Sequence, residues 1–148
     1  MTAHRGWGSM EMLHMRRIAL GAALLLLATE GIAATTPPAG SPVRRAIFEA
    51  LRPAVEAKVG GNVEFVATYF PVEGTWAFVQ AEPQRKGGRR INGKLYFPHD
   101  WDHMDGLTTT TILQFRNGRW NLIGSAIGAT DAWYCGVRQV SSFAPCGQ

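Results

Sequence analysis

Cysteines, charged residues and long apolar runs, which help to assign a sequence to a class of protein, are all scarce in this chain. It has only two cysteines, and charged residues make up 18% of its 148 residues. Its one long apolar run, residues 18–28, has 11 residues. A helix that crosses a membrane needs about 20 apolar residues, so this run excludes a comfortable membrane span.

The N-terminus has instead the three parts of a secretory signal peptide. Arg16 and Arg17 precede the apolar run, and small residues follow it. A basic flank, a short apolar core and a small-residue cleavage site describe such a segment. We predict that residues 1–33 are a signal peptide with an over-long start, cut after Ala33 or Ala34. The alternative is an uncleaved anchor.

The charge balance is too even to predict a nucleic-acid partner. Three of the 15 Lys and Arg and two of the 11 Asp and Glu precede Ala34, which leaves a net charge of +3. A nucleic-acid-binding domain would show a basic stripe. Basic residues do cluster around Gly87 and Gly88, but no aromatic residues interleave with them, and we interpret this stretch as a solvated loop. We expect a periplasmic or secreted protein without a stable membrane span after cleavage.

The two cysteines, Cys135 and Cys146, lie near the C-terminus. In an exported chain a single pair of cysteines predicts a disulfide. Closing so short a loop contributes about 3 kcal/mol in the chain-entropy model. A zinc pair is the alternative, but no nearby His completes a four-ligand set. We expect neither a metal nor a cofactor.

The mature chain begins with a linker, residues 34–41, and a helix. Ser41 is typical of an N-cap, and Pro42 suits the first helical position. The apolar stripe of this helix is Ile47, Leu51, Val55 and Val59. Pro53 should kink or divide the helix, because it removes a backbone donor. Gly60-Gly61 should end it.

Two antiparallel hairpins are predicted after the helix. Residues 63–71 and 75–81 are rich in β-branched and aromatic residues, and the two strands join at Glu73-Gly74. Pro83 should end the second of these strands. Residues 130 and 131, Thr and Asp, are typical of the cap of a short terminal helix.

The second hairpin turns at Asn117-Gly118, the strongest short-range hairpin signal. A two-residue loop predicts the pairs Arg116 with Arg119, Phe115 with Trp120, Leu113 with Leu122, and Ile112 with Ile123. The residues Leu113, Phe115, Trp120 and Leu122 then share one face, which we expect to lie against the helix stripe.

The richest polar stretch is residues 99–106, HDWDHMDG. The candidate ligand-binding residues are His99, Asp100, Trp101, Asp102 and His103, with Asp131 further along. The carboxylate spacing misses the calcium loop, and the histidine pair lacks the Glu of a zinc helix. We interpret the stretch as a polar loop, with a metal site and an acid–base site as alternatives. No catalytic residue is identified.

One helix followed by two long hairpins resembles the cystatin-like and NTF2-like folds. The motifs WAFV…P, MDG and GRW…G.TD.W at residues 76–83, 104–106 and 118–133 also resemble a group of uncharacterised exported proteobacterial proteins. The resemblance implies an α+β fold and an exported location, and no activity. We expect residues 42–148 to form a single domain, with an N-terminal helix packed on a curved antiparallel sheet of about four strands.

These observations predict a small exported binding or interaction domain with an unknown ligand or partner. The alternative is an NTF2-like protein with a small-molecule pocket, with an enzyme as a further option. A buried polar pair facing a cavity of roughly 300 Å³ or more would favour the pocket protein. A filled core and an exposed apolar patch would favour the interaction domain.

Overall fold

The structure, a computed structural model, describes residues 33–147, and residues 1–32 of the predicted signal peptide lie outside them. The elements in chain order are α1 (Pro42–Val59), β1 (Glu64–Tyr69), β2 (Val72–Glu73), β3 (Trp76–Gln84), α2 (Gly93–Tyr96), a 3₁₀ helix (Trp101–His103), β4 (Thr109–Arg116), β5 (Arg119–Ile127) and a second 3₁₀ helix (Trp133–Gly136). Within the described residues, no helix has the length and apolarity needed to cross a membrane.

The helix α1 begins and ends as the sequence predicts. The Ser41 hydroxyl accepts a hydrogen bond from the Arg44 N–H at 3.3 Å, and Pro42 follows it. Gly60, with φ at +64°, ends the helix. The predicted division at Pro53 is wrong, because the helix continues through it, and a kink there stays a prediction. Pro53 is exposed, so the carbonyl that loses its donor lies on the solvent side, where water can replace the bond.

The sheet is antiparallel, with the order β1-β3-β4-β5 and with β2 paired to the start of β3. It therefore has five strands rather than about four. β1 lies within the predicted strand 63–71, while β2 lies in the predicted turn that follows that strand. Pro83 does not end β3, because it pairs with Phe65 of β1. The pairing of β3 with β4 stops at Ala81. β4 therefore does not need a hydrogen bond from residue 83, where proline has no backbone N–H.

The second hairpin has the predicted turn and most of the predicted register. Asn117 and Gly118 both have positive φ, as a two-residue type I′ turn requires. The pairs Arg116 with Arg119, Phe115 with Trp120, and Leu113 with Leu122 are confirmed. The fourth pair is wrong. Ile112 pairs with Gly124, because a β-bulge at Ile123 adds one residue to β5.

The sheet is covered on both faces. One core lies under α1, and it contains the predicted helix stripe together with Ala77, Val79 and Leu113. The other core lies under the C-terminal segment. Its buried residues are Phe78, Ile112, Tyr134, Val140, Phe143 and Ala144. Alternate residues of β3 and β4 therefore serve two different cores.

The C-terminal segment is held by the predicted disulfide. Cys135 and Cys146 are bonded, with their Cα atoms 5.5 Å apart. Two hydrogen bonds attach the segment to the sheet: the Tyr69 hydroxyl donates to the Phe143 carbonyl at 2.8 Å, and the Trp133 indole N–H donates to the Thr110 hydroxyl at 2.8 Å.

Two shorter stretches also have a defined place. In the predicted linker, Thr35 exchanges backbone hydrogen bonds with Val72 at 2.9 and 2.8 Å, so this stretch lies along β2. The predicted cap at residues 130 and 131 is wrong. The 3₁₀ helix there follows Ala132 and has no side-chain cap, and Asp131 is exposed.

Candidate functional site

The polar stretch 99–106 is an exposed loop around the 3₁₀ helix Trp101–His103. His99, Asp100, Asp102 and His103 all have exposed side chains. Within residues 33–147, no three His, Cys, Asp or Glu side chains come close enough together to hold a metal ion. The expectation that this loop binds no metal stays a prediction.

Trp101 has a structural role instead. Its ring lies directly over Gly93, and a Cβ added at Gly93 would be 1.9 Å from a ring carbon. The ring packs against the core under α1. Asp131 lies in an exposed bend after β5. The structure therefore does not bring the six candidate ligand residues together into a site.

An apolar feature lies along the junction of α1 and β5. It consists of two hollows, of 490 and 560 Å³. The first is lined by Ala54, Lys58, Phe97, Leu122, Ser125, Ala126 and Ile127. The second is lined by Pro42, Val43, Ala46, Glu49, Ala50, Phe115, Gly118, Arg119 and Trp120. We call the two hollows together the α1–β5 groove.

Small side chains on α1 produce this groove. Ala46, Ala50 and Ala54 recur every four residues and so lie on one face of the helix, beside the buried stripe. Because alanine has only a Cβ atom, α1 lies close to β5 and yet leaves the outer parts of the β5 side chains uncovered. The result is an apolar junction that the protein itself does not fill.

The predicted covered face of the hairpin is therefore only partly right. Leu113 is fully buried under α1 and Trp120 is half-buried, but Phe115 is 41% exposed and Leu122 is 36% exposed. The hairpin tip carries Phe115 beyond the helix stripe. Leu122 lies on an edge strand, opposite alanines, so neither a neighbouring strand nor a large helix side chain covers it.

β5 is an edge of the sheet, with β4 as its one partner among the described residues. Because the turn has two residues, Arg116 and Arg119 exchange backbone hydrogen bonds. Along an antiparallel ladder, such hydrogen-bonded pairs alternate with pairs whose backbone groups point away from each other. The N–H and C=O groups of Trp120 and Leu122 therefore point outward. Beyond the bulge, the Gly128 N–H donates to the Thr108 carbonyl at 2.8 Å. The same alternation leaves the backbone of Ser125 pointing outward.

Little in the sequence of β5 prevents another strand from pairing with it. Edge strands are usually short or carry Lys, Pro or inward charges. β5 has nine residues, RWNLIGSAI, and its one charge is at its first position. The bulge at Ile123 is its one protective feature, and it divides the edge into two short segments.

The groove has few polar groups. The Ser125 hydroxyl lies 3.3 Å from the hydroxyl of Thr111, which is fully buried. Lys58 is the only ionisable residue that lines the 490 Å³ hollow, while Glu49 and Arg119 border the other. This arrangement suits the binding of an apolar group beside a hydrogen-bonding backbone. It does not provide a paired acid and base.

Comparison with known proteins found no protein family, curated protein or solved structure that matches this chain. The resemblance to the cystatin-like and NTF2-like folds stays an expectation.

Proposed function

We propose that this protein is an exported binding domain that takes an extended segment of another polypeptide into the α1–β5 groove. The segment adds a strand to the free edge of β5. The observation that carries this proposal is the outward-pointing backbone of Trp120, Leu122 and Ser125, directly beside two unfilled apolar hollows.

Strand addition uses both features of the groove. The main-chain hydrogen bonds supply affinity, and pockets for alternate side chains supply specificity. Side chains of an added strand alternate between the two faces of the sheet. Every second side chain of the ligand therefore points to the α1 side, where the hollows lie. The preferred ligand has apolar residues at alternate positions.

Export is part of the proposal. The basic flank, short apolar run and small residues predict cleavage after Ala33 or Ala34, and the Cys135–Cys146 disulfide supports an oxidising compartment. Intact-mass measurement of the protein from the extracytoplasmic fraction tests this. The mass should lack residues 1–33 or 1–34, and a mass that includes the run 18–28 would contradict cleavage.

A displayed library of random peptides tests the groove. We expect selected peptides to show alternating apolar residues and to lose binding to the Ala54→Arg variant, because the new side chain occupies the 490 Å³ hollow. The matched control is Ala57→Arg, since Ala57 lies on the exposed side of the same helix. Binding that tolerates Ala54→Arg as well as Ala57→Arg would contradict the proposal.

A second variant separates strand pairing from simple pocket binding. Ser125→Pro removes an outward N–H that the β4 ladder does not use, and proline is tolerated on edge strands. We expect this variant to keep its fold, as judged by circular dichroism, and to lose peptide binding. Unchanged peptide affinity would show that β5 does not pair with the ligand.

The small-molecule pocket remains the second candidate. The mostly apolar lining of the 490 Å³ hollow favours it. A small apolar ligand in this hollow would be displaced by Ala54→Arg but not by Ser125→Pro. An environment-sensitive apolar dye that binds the wild type and the Ser125→Pro variant equally, without any selected peptide, would favour this candidate and an NTF2-like assignment.

A further inference from the structure

Positive charge is concentrated in the segment between β3 and the exposed polar loop. Residues 84–98 contain five Lys and Arg and no Asp or Glu. The five are Arg85, Lys86, Arg89, Arg90 and Lys94. They are nearly half of the 12 positive charges that follow Ala34, so this segment dominates the charge of the described chain.

Arg85 gives the segment a fixed position. Its guanidinium donates to the Val59 carbonyl at 2.6 Å, to the Gly60 carbonyl, and to the Tyr96 hydroxyl at 3.0 Å. These bonds join the C-terminal end of α1 to α2. Arg85 and Arg89 also form a backbone bridge that closes the turn between them. The interpretation of this stretch as a solvated loop is therefore wrong for Arg85, which is half-buried.

The other cations remain available to a partner. Lys86, Arg89, Arg90 and Lys94 are exposed, and Lys58 adds a fifth exposed cation from the last turn of α1. Within residues 33–147 the one ion pair is Arg52 with Glu49. None of the five is therefore neutralised by a described carboxylate.

A large apolar side chain follows one of these cations, Lys94, in the chain. Leu95 is 69% exposed, the highest value among the exposed large hydrophobic residues of the described chain. It follows Lys94 on α2 and precedes Tyr96, which contacts Arg85. We call Lys58, the turn 85–90, Lys94 and Leu95 together the basic end.

We propose that the basic end binds the surface of an anionic lipid membrane. The cations face the lipid phosphates, and Leu95 enters the boundary between the headgroups and the acyl chains. Each Lys or Arg near an anionic surface contributes about 1 kcal/mol, which is roughly five-fold in partitioning. A soluble polyanion would use the cations but gain nothing from an exposed leucine, so Leu95 favours a membrane. This proposal does not depend on ligand binding in the α1–β5 groove.

The nearby carboxylates leave this surface positive. Along the chain, the nearest are Glu56, Glu82 and Asp100. Glu56 accepts a hydrogen bond from the Val63 N–H at 3.0 Å. Glu82 accepts a hydrogen bond from the Thr108 hydroxyl, on the sheet. Asp100 and Asp102 belong to the next loop, and we expect Asp100→Asn together with Asp102→Asn to strengthen vesicle binding, since both changes remove negative charge.

Co-sedimentation with lipid vesicles tests the proposal. We expect the protein to bind vesicles of phosphatidylglycerol mixed with phosphatidylcholine, and to bind pure phosphatidylcholine vesicles much more weakly. Binding should weaken at high salt, which screens exposed charges. All variants keep the same N-terminus as the wild type, so differences between them report on the basic end and not on the apolar run 18–28.

Two variants that each remove two positive charges test which surface of the protein binds the vesicles. Replacing Lys86 and Arg89 with Gln should weaken binding to anionic vesicles by roughly five-fold for each residue. Replacing Arg116 and Arg138, which are exposed and lie outside the basic end, with Gln makes the same charge change, and it should leave vesicle binding unchanged. Equal losses in the two variants would contradict the proposal, because binding would then follow net charge alone.

Leu95→Ser separates a membrane from a soluble polyanion. We expect it to weaken vesicle binding several-fold, because apolar burial in the interface is lost, and to leave binding to heparin unchanged. Vesicle binding that is unaffected by Leu95→Ser, equal binding to phosphatidylcholine, or no vesicle binding at all would each overturn the proposal. Leu95 is exposed, so this variant should melt at the same temperature as the wild type.

Discussion

At the scale of single residues, Arg85 shows how a side chain in a charged turn can stabilise the fold. It donates to carbonyls at the end of α1, where the last helical residues leave such groups without an intrahelical partner. Positive charge is also favourable at a helix C-terminus. Arg85 therefore caps α1, while its neighbours remain free to bind other molecules.

We expect Arg85→Ala to lower the free energy of unfolding by about 2 kcal/mol, because hydrogen bonds to a charged group contribute about 1.5–3 kcal/mol. Lys86→Ala is the matched control, since Lys86 is exposed and changes of this kind usually cost less than about 0.5 kcal/mol. Urea unfolding measures both. Equal stabilities of the two variants would show that Arg85 has no capping role.

Gly93 is a second residue whose role depends on its surroundings. It has an ordinary helical backbone, but the Trp101 ring occupies the place of a Cβ atom. We expect Gly93→Ala to destabilise the protein by about 1–3 kcal/mol through overpacking. Gly136→Ala is the control, because a Cβ at Gly136 would meet nothing within 4 Å. If thermal melts show no difference between the two variants, Trp101 moves aside at no cost.

At the scale of elements, the β4–β5 hairpin contains two leucines that differ in burial. Leu113 and Leu122 are paired, and both point to the α1 side of the sheet. β4 lies between two strands, and Leu113 is fully buried there. β5 is the edge, so Leu122 is 36% exposed in the α1–β5 groove. The same chemical group thus stabilises the core in one strand and lines the candidate binding site in the next.

We expect Leu113→Ala to cost about 2–5 kcal/mol, as in other buried sites. Leu122→Ala should cost about 1 kcal/mol or less, because much of its apolar surface already contacts water. Denaturant unfolding of the two variants provides the comparison, with Leu113 as the internal standard. A loss at Leu122 as large as that at Leu113 would mean that the groove is closed in solution.

At the scale of the whole described chain, the sheet lies between two separate cores. The helix stripe covers one face, and the segment containing the disulfide covers the other. The C-terminal segment has only a short 3₁₀ helix, so its order depends on packing, on two hydrogen bonds to the sheet and on the cross-link.

We expect the double variant Cys135→Ser, Cys146→Ser to lose about 3 kcal/mol of stability, as a loop of this length predicts. Thermal melts of the wild type with and without reductant should reproduce this difference. The double variant, which has no disulfide, is the control and should be insensitive to reductant. Thiols that react in the denatured but unreduced wild type would contradict the disulfide.

The two proposed surfaces meet at Lys58. This residue lines the 490 Å³ hollow of the α1–β5 groove and also belongs to the basic end. A protein held on a membrane by its basic end would therefore have one end of its groove near the lipid headgroups.

The sequence by itself determined the features that depend on neighbours along the chain. Ser41 and Pro42 start α1 and Gly60 ends it, because caps are local hydrogen bonds and local φ values. Asn117-Gly118 sets the hairpin turn and, through it, the first pairs of the register. The cysteine pair predicts its own bond, since no other cysteine competes.

Only the tertiary structure decided features that join distant segments. The bulge at Ile123 shifts the register after Leu122. Gly124 is a local signal for a bulge, but only the pairing with β4 decides which residue is extra. Arg85 reaches the end of α1, and Trp101 covers Gly93, because the sheet and α1 bring these segments together. The candidate site shows the same limit. Ala46, Ala50 and Ala54 are visible in the sequence as a second helical row, but only the position of β5 at the sheet edge makes that row one wall of a groove. The polar loop 99–106, in contrast, has the residue types of a site without the convergence, because side-chain chemistry is encoded locally while the approach of several side chains to one point is not.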